Sequence, residues 1–257
     1  MKDLFSIAGK VALVTGGSRG IGAMIARGLV EHGARVYVSS RKADACAATA
    51  AELAAYGTCR ALPADCSTQA GCAALAAALG EHETKLHVLV NNAGANWGAP
   101  LAEYPDSAWD KVLALNVKGV FHLTRACLPL LEKAASPDDP ARVINIGSVD
   151  GLRVPLLETY AYSASKAAVT HLTRVLAARL AGQHITVNCV APGPFESKMM
   201  AETLARFREA IVASVPLGRI GRPEDMAGVA IYLASRAGAY VTGAVIPVDG
   251  GILVRGS

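Results

Sequence analysis

Short apolar runs alternate with longer alanine-rich segments along the chain. The runs are rich in valine and isoleucine and apolar at nearly every position, which is typical of parallel strands buried on both faces. We therefore predict seven buried strands. Their sequences are VALVT from Val11, RVYVS from Arg35, CRALPAD from Cys59, HVLVN from His87, RVINIG from Arg142, ITVNCV from Ile185 and AVIPVD from Ala244.

The segments between these strands have helical patterns. They lie near residues 20–32, 43–55, 68–80, 106–133, 160–181, 203–213 and 223–235. Strands that alternate with helices imply βαβ units with right-handed crossovers. The Pro- and Asp-rich stretch at 135–141 is interpreted as a turn that ends the long fourth helix. We predict one domain over residues 1–257, a single-domain Rossmann-like α/β doubly wound fold with a seven-stranded parallel sheet flanked by helices.

The composition suits a large buried core. Of the 257 residues, 52% are apolar and 18% are charged, which excludes the disordered class. The net charge of +4 is mild and the basic residues are scattered, so no nucleic-acid partner is expected. The sequence has no uninterrupted apolar run of about 18 residues, so no membrane span is predicted.

The six cysteines form no C-x-x-C pair and no histidine-bearing zinc pattern. Reduced thiols and the absence of a metal site are the simplest interpretation. The first ten residues, MKDLFSIAGK, include an acidic residue and no continuous apolar run, unlike a signal peptide. We therefore expect a cytoplasmic protein.

A glycine-rich loop, TGGSRGIG, follows the first predicted strand and opens the first helix. Glycines there let the backbone approach a pyrophosphate, which the N–H groups at the start of the helix can bind. The spacing of Gly16, Gly20 and Gly22 is G-x-x-x-G-x-G, which differs from the G-x-G-x-x-G fingerprint. Because an ordinary tight turn uses the same residues, the loop alone leaves both interpretations open.

The end of the second strand indicates which nucleotide is bound. A carboxylate at this place would hold the ribose 2′-hydroxyl of NAD, but the chain has VSSRK, with Ser40 and Arg41. A hydroxyl and a guanidinium suit a 2′-phosphate, and Arg19 of the glycine loop is within reach of the same group. Although Arg41 is also consistent with a solvated strand end, the pattern predicts NADP(H) as the cofactor.

Six short motifs occur in the order and spacing of one known family. They are TGGSRGIG at 15–22, NNAG at 91–94, LNVKG around Asn116, IGS ending at Ser148, YSASK with Tyr162 and Lys166, and APG at 191–193. Over nearly its whole length the chain resembles the short-chain dehydrogenase/reductase family. Within the family it resembles the NADPH-dependent 3-oxoacyl reductases, and most of all their rhamnolipid-pathway branch, through YGTCRALPADCS, NNAGANWGA and PARVINIGSV.

The resemblance implies four catalytic residues. Tyr162 would give its proton to the carbonyl oxygen, and Lys166, one helical turn on, would stabilise the phenolate. Ser148 would polarise the carbonyl, and Asn116 would hold a water that relays protons to Lys166. Taken singly, such residues are usually helix surface or turn residues, but the ordered set favours catalysis. Tyr160 has no lysine four residues on and is interpreted as a bystander.

The resemblance also implies a set of cofactor contacts in the glycine loop and at the ends of later strands. The set is Gly16, Ser18, Arg19, Gly20, Ile21, Gly22, Ser40, Arg41, Asp65, Asn92, Ala93, Gly94, Tyr162, Lys166, Pro192, Gly193 and Ser197. Asp65 is equally consistent with a helix cap. Ser197 stands where the family usually has threonine, which keeps the hydroxyl. Asn91 is interpreted as structural.

The substrate is expected to be apolar, because Ser148 is joined in the predicted pocket by Trp97, Leu152, Phe195 and Met199. We expect NADPH-dependent reduction of a ketone to a secondary alcohol, with a 3-oxoacyl thioester or similar apolar carbonyl as substrate. A sugar, polyol or other secondary-alcohol dehydrogenase is the alternative enzyme. A non-catalytic NADP-binding sensor is the alternative from another class.

An acyl-carrier-protein partner is doubtful on the same resemblance. Carrier-protein reductases of the family generally have basic residues on the fourth and fifth helices, where this chain has Pro129 and Ala178, although Arg125 and Arg179 lie nearby. A coenzyme A thioester or a free ketone is an equal candidate. The family usually assembles through these helices, so a homo-oligomer, either dimer or tetramer, is expected.

Overall fold

A parallel sheet of seven strands forms the centre of the molecule, in the order β3-β2-β1-β4-β5-β6-β7. The structure is a computed structural model, in which residues 3–197 and 200–255 are described. The strands are β1 (Val11–Thr15), β2 (Arg35–Ser39), β3 (Cys59–Ala61), β4 (Val88–Asn91), β5 (Ala141–Ile146), β6 (Ile185–Pro192) and β7 (Val245–Val248). The strand order reverses between β1 and β4, which is where ligands bind in doubly wound folds. The predicted fold class is confirmed; the extent of the domain, residues 1–257, stays a prediction.

Eight α-helices flank the sheet within the described residues. They are α1 (Gly20–Glu31), α2 (Ala43–Leu53), α3 (Gln69–Gly80), α4 (Asp106–Leu113), α5 (Val120–Ala134), α6 (Tyr160–Leu180), α7 (Ala201–Ser214) and α8 (Pro223–Ala234). None of the helices in this part of the chain is long and apolar enough to cross a bilayer.

The predicted helix near 106–133 is present as one uninterrupted helical segment, in which a π-helical turn that was not predicted, Ala114–Gly119, joins α4 to α5. Two contacts accompany this wider turn. The Asn116 side chain bonds to the backbone of Ala95. Gly119 lies against the carbonyl of Cys66, where an added Cβ would be 2.4 Å from the oxygen. Turns of this kind are frequent at functional sites.

Side chains of successive strand residues enter two separate cores. Ala12 and Val14 of β1 pack into the core that α1, α2 and α8 cover. Val11 and Leu13 pack into the core on the other face, under α3 and α5. Both faces of the sheet are therefore buried, which is the physical reason for the unbroken apolar runs in the sequence.

Buried charges meet at the end of the sheet where the strands begin. Lys10 donates to both carboxylate oxygens of Asp139, at 2.8 and 2.5 Å. Arg142, only 1% exposed, donates to Asp139 at 2.5 Å and to the Ser235 carbonyl at 2.9 Å. Burial alone would raise the pKa of Asp139, but these two cations lower it. We call Lys10, Asp139 and Arg142 the N-edge cluster.

Candidate active site

Two loops at the opposite end of the sheet are tied together at the point where the strand order reverses. The Thr15 hydroxyl, at the end of β1, accepts hydrogen bonds from the backbone N–H groups of Asn92 (3.0 Å) and Ala93 (3.1 Å), after β4. The Asn92 side chain donates in return to the carbonyls of Thr15 and Gly16, at 2.8 and 3.2 Å. These bonds fix the glycine loop against the β4 loop.

The glycine loop is shaped for close approach of a ligand. Gly16 and Gly20 have φ of 62° and 53°, which favours glycine. At Gly22 an added Cβ would lie 2.3 Å from the Gly16 carbonyl oxygen. Helix α1 begins at Gly20 without a side-chain cap, so its first N–H groups point into the loop. This arrangement fits a pyrophosphate.

Two arginines lie beside that loop, at the end of β2 and before α1. Arg19 and Arg41 are exposed, and neither forms an ion pair within the described ranges. The Ser40 hydroxyl donates to the Lys42 carbonyl at 3.2 Å. We call Arg19 and Arg41 the cationic edge. It fits a ribose that carries a 2′-phosphate better than a ribose with free hydroxyls.

Asp65 lies near this cationic edge. A hydrogen bond from the Ser67 backbone, followed by smaller effects that include the charge of Arg41, lowers the pKa of Asp65. The cap of α3 is Thr68, whose hydroxyl accepts from Gly71 at 3.0 Å. Asp65 is thus an exposed carboxylate at the nucleotide loop, and the helix-cap role belongs to Thr68.

The remaining residues of the predicted cofactor set contact different parts of the protein, some at the glycine loop and some in the core or the sheet. Ser197 lies against Gly20, since a Cβ on that glycine would be 3.1 Å from the serine Cβ. Gly193 follows Pro192 and donates to the Val248 carbonyl at 3.0 Å. Ile21 packs partly into the core. The Ser18 carbonyl accepts from Thr49 at 3.0 Å.

Lys166 is a buried cation one turn after Tyr162 in α6. Its side chain donates to the Ile146 carbonyl at 2.7 Å, and no carboxylate pairs with it among the described residues. The ammonium nitrogen lies 5.5 Å from the centre of the Tyr162 ring. Burial lowers the pKa of Lys166 to about 8.

Tyr162 retains its proton at neutral pH in this structure. Burial raises the pKa of Tyr162 to about 12, a hydrogen bond with Ser148 lowers it, and the charge of Asp150 raises it. The expected lowering of this pKa by Lys166 is not seen, because burial dominates and the ammonium is turned to a carbonyl. A phenol that keeps its proton suits a proton donor better than a base.

Asn116 links three parts of the site. Its side-chain oxygen accepts from the Ala95 N–H at 2.8 Å, and its amide donates to the Ala95 carbonyl and to the Ser165 hydroxyl, both at 2.9 Å. Both amide donors are thus used within the protein. Gly94 completes the contact: an added Cβ would lie 3.5 Å from the Asn116 oxygen and 3.8 Å from the Lys166 nitrogen.

Ser148 begins a short helical turn, Val149–Gly151, which we call the serine turn. The Ser148 hydroxyl accepts from the Asp150 N–H at 3.1 Å. Gly151 lies directly against α6, where a Cβ would be 2.6 Å from the Lys166 carbonyl carbon. The turn is therefore fixed to the helix that carries Tyr162 and Lys166.

The predicted substrate residues separate into two groups. Trp97 and Leu152 are exposed, at 38% and 41%, on the loops that follow β4 and β5. Phe195 is 2% exposed and packs against Gly221, where an added Cβ would lie 2.2 Å from the ring. Phe195 thus fills the space left by a missing side chain and belongs to the core. Met199 lies outside the described residues.

Two residues of the site were missing from the prediction. Ser165 donates to the Tyr162 carbonyl at 2.6 Å and accepts from Asn116, so it joins α6 to the π-helical turn. It lies within YSASK, which was a usable signal. Asp150 is an acid two residues after Ser148, in a loop that is mostly apolar. Asn91 bonds to the side chains of Thr124 and Asn145, which agrees with a structural role.

Comparisons with known proteins identify the family of the chain. Residues 16–253 match a family described as enoyl-(acyl carrier protein) reductase. The chain is 56% identical over 253 residues to the rhamnolipids biosynthesis 3-oxoacyl-[acyl-carrier-protein] reductase of Pseudomonas aeruginosa, covering 98% of this chain and 99% of that protein. The chain belongs to the short-chain dehydrogenase/reductase family. It is therefore an oxidoreductase.

Similar proteins include both acyl reductases and polyol dehydrogenases. The Pseudomonas aeruginosa RhlG/NADP active-site complex superposes with a TM-score of 0.95 at 56% identity, covering 98% of this chain and all of that one. Galactitol 2-dehydrogenase (L-tagatose-forming) of Cereibacter sphaeroides is 37% identical over 256 residues, or 98% of each chain. The family thus uses this scaffold for different carbonyl and alcohol substrates.

Proposed function

We propose that this chain reduces a ketone to a secondary alcohol with NADPH as the reductant, and that its substrates are 3-oxoacyl thioesters or similar apolar ketones. The observation that carries the proposal is the grouping of Ser148, Tyr162 and Lys166. A phenol with a raised pKa lies beside a serine hydroxyl and close to a buried cation. Together they offer a hydrogen-bond donor and a proton to a carbonyl oxygen.

The proposed roles follow from these contacts. Bound NADPH supplies the hydride. Ser148 holds the carbonyl oxygen, and Tyr162 gives that oxygen its phenolic proton. Lys166 lies close enough to stabilise the phenolate that remains. Asn116 holds the loop after β4 and α6 together beside it. The water-relay role of Asn116 stays a prediction.

NADP(H) is the cofactor that the nucleotide cleft favours. The glycine loop and the uncapped start of α1 suit a pyrophosphate, and Arg19 and Arg41 suit a 2′-phosphate. The solved structure reported above is described as a complex with NADP. Both lines of support point to the same cofactor as the sequence.

The apolar edge beside the serine turn supports the substrate class. Val154 and Leu156 are 90% and 96% exposed, with Leu152 and Leu157 next to them. Such a patch suits an acyl chain or another lipophilic ketone. The carrier-protein reductase among the relatives favours a thioester, but Pro129 and Ala178 on α5 and α6 leave acyl-carrier protein and coenzyme A as equal candidates.

A substrate panel tests the proposal. NADPH consumption is followed at a fixed enzyme concentration with a 3-oxoacyl-coenzyme A, the same acyl group on acyl-carrier protein, a simple ketone and a ketose. We expect turnover with the acyl substrates and little with the ketose. Consumption with the ketose alone would favour the polyol alternative, which the galactitol dehydrogenase relative supports. No consumption with any of them would favour the NADP-binding sensor.

The assembly and location are also part of the proposal. Phe121 on α5 and Val175 on α6 are apolar and exposed, at 39% and 44%, so we propose that these helices form a homo-oligomer interface. Light scattering at micromolar concentration that shows a monomer would remove this part. The six cysteines are free thiols, which supports a cytoplasmic location.

A further inference from the structure

Asp150 lies among the residues proposed to act on the carbonyl. Its backbone N–H donates to the Ser148 hydroxyl at 3.1 Å. The serine turn that carries it packs closely on α6, because Gly151 leaves no room for a Cβ against Lys166 and Ala167. Asp150 is therefore held in a fixed place next to Ser148.

The Asp150 carboxylate is only loosely paired. It is 29% exposed, and its nearest cation is Arg153, whose Nε lies 4.0 Å from Oδ1. That distance is too long for a hydrogen bond. The Arg153 Nε is buried without a hydrogen-bond partner in the described part of the chain. Burial raises the pKa of Asp150, and the charge of Arg153 lowers it.

The elements packed on α6 differ in the charges that they place near Tyr162. The serine turn contributes Ser148 and Asp150. Helix α6 contributes Lys166, which faces Cys189 of β6. The charged residues of α4 and the π-helical turn are all exposed at the surface, namely Asp106, Asp110, Lys111 and Lys118. Among the described residues, Asp150 is the one carboxylate whose charge acts on Tyr162.

Resting on the proposed function, we infer that Asp150 is a positioning residue that favours the proton-donating form of Tyr162: its backbone holds Ser148, and its carboxylate, only loosely paired with Arg153, places negative charge near Tyr162. Reduction requires the neutral phenol, whose O–H bond breaks as the proton passes to the carbonyl oxygen. Alcohol oxidation requires the phenolate, which accepts that proton. Nearby negative charge favours the neutral form and hence the donor state.

The test compares pH profiles in both directions, with a 3-oxoacyl-coenzyme A and NADPH or the matching 3-hydroxyacyl-coenzyme A and NADP. Asp150→Asn keeps the backbone donor and removes the charge. We expect the midpoints of both profiles to move about one unit toward lower pH. Oxidation measured below the original midpoint then rises up to about tenfold. Arg153→Gln is expected to move the midpoints the other way.

Two controls separate this role from a structural one. Asp150→Glu keeps the charge and is expected to bring the midpoints back toward the wild-type values. Asp110→Asn removes a carboxylate from the exposed face of α4 and is expected to leave them unmoved. Thermal unfolding and NADPH binding check that each variant is folded.

Profiles of Asp150→Asn that coincide with the wild type would overturn the inference and leave the proposed function intact. If Asp150→Asn does not fold, an unmoved profile of Arg153→Gln overturns the inference instead. Absence of ketone reduction by the wild-type enzyme would overturn the proposed function itself. The three outcomes are distinguishable in one series of assays.

Discussion

The two ends of the sheet differ in whether their buried cations are paired with a carboxylate. At the N-edge cluster, Lys10 and Arg142 share the carboxylate of Asp139. At the other end, Lys166 is just as buried but donates only to a backbone carbonyl. Burial lowers the pKa of Lys10, Arg142 and Lys166 alike, and only at the N-edge cluster does a carboxylate oppose that effect. The same fold thus uses buried cations for stability at one end and keeps one available for chemistry at the other.

The largest effect is expected from Lys166→Met. The variant removes the cation beside Tyr162, so turnover should fall by about 10²-fold or more, a loss typical of groups that assist proton transfer. Its free energy of unfolding should stay unchanged or rise, because an unpaired buried charge is costly. Steady-state kinetics and urea unfolding on the same sample check both statements. A strongly destabilised variant would mean that Lys166 is structural.

The reverse outcome is expected from Asp139→Asn. This change leaves Lys10 and Arg142 buried without their carboxylate, and should lower the free energy of unfolding by about 2 kcal/mol, less than for a fully buried pair because Asp139 is 40% exposed. Turnover per folded molecule should remain. The higher free energy of unfolding of the wild type, relative to Asp139→Asn, is present above pH 3.8. It is lost as the pH falls through the lowered pKa of Asp139. Urea unfolding at two pH values tests this, and equal stability of both proteins at pH 7 would contradict it.

A smaller effect is expected from Arg41→Ala at the nucleotide loop. Removal of one charge-assisted hydrogen bond to the 2′-phosphate should weaken NADPH binding about tenfold and leave NADH binding nearly unchanged. The ratio of the two dissociation constants, from titrations of cofactor fluorescence, is the readout. The neighbouring Lys42→Ala, which removes the same charge one residue later, is the matched control. An unchanged ratio in Arg41→Ala would remove this arginine from cofactor selection.

A pH dependence of stability also belongs to Lys166. Its pKa is about 8 in the folded protein and 10.5 in the reference state. Below pH 8 both states carry the proton and the buried charge costs stability in full. Between these values the unfolded chain binds more protons, so this contribution to stability rises with pH. The difference in unfolding free energy between Lys166→Met and the wild type should therefore shrink from pH 7.5 to pH 9.5, and a constant difference would contradict the lowered pKa.

Much of the fold was predictable because its signals are local. The runs VALVT and RVYVS match β1 and β2 residue for residue, since burial on both faces keeps the middle of each run apolar. The third strand ends at Ala61 rather than Asp65, and Pro63 lacks the N–H that a continuing strand needs. The helix near 106–133 was predictable, but its π-helical turn was not, because the contacts of that turn are with Ala95 and Cys66, which are distant in sequence.

The site was predictable only in part, because local motifs can be read from the sequence and contacts between distant residues cannot. Tyr162 and Lys166 share a short motif, so their spacing was visible in the sequence. The burial of Phe195 depends on Gly221, and the N-edge cluster joins Lys10 to a residue 129 positions away. No local pattern contains such pairs. Asp150 was visible as an acid, but its effect on Tyr162 required the serine turn to be placed on α6.

The central claim is that Tyr162 gives a proton to a ketone held at this end of the sheet. The most direct measurement is the turnover of a 3-oxoacyl-coenzyme A with NADPH by Tyr162→Phe. Tyr160→Phe serves as the matched control, because the Tyr160 hydroxyl bonds to Glu158 at 2.7 Å instead. We predict that Tyr162→Phe binds NADPH normally and loses at least about 10²-fold in turnover, with Tyr160→Phe nearly unaffected. Near-normal turnover by Tyr162→Phe would contradict the account.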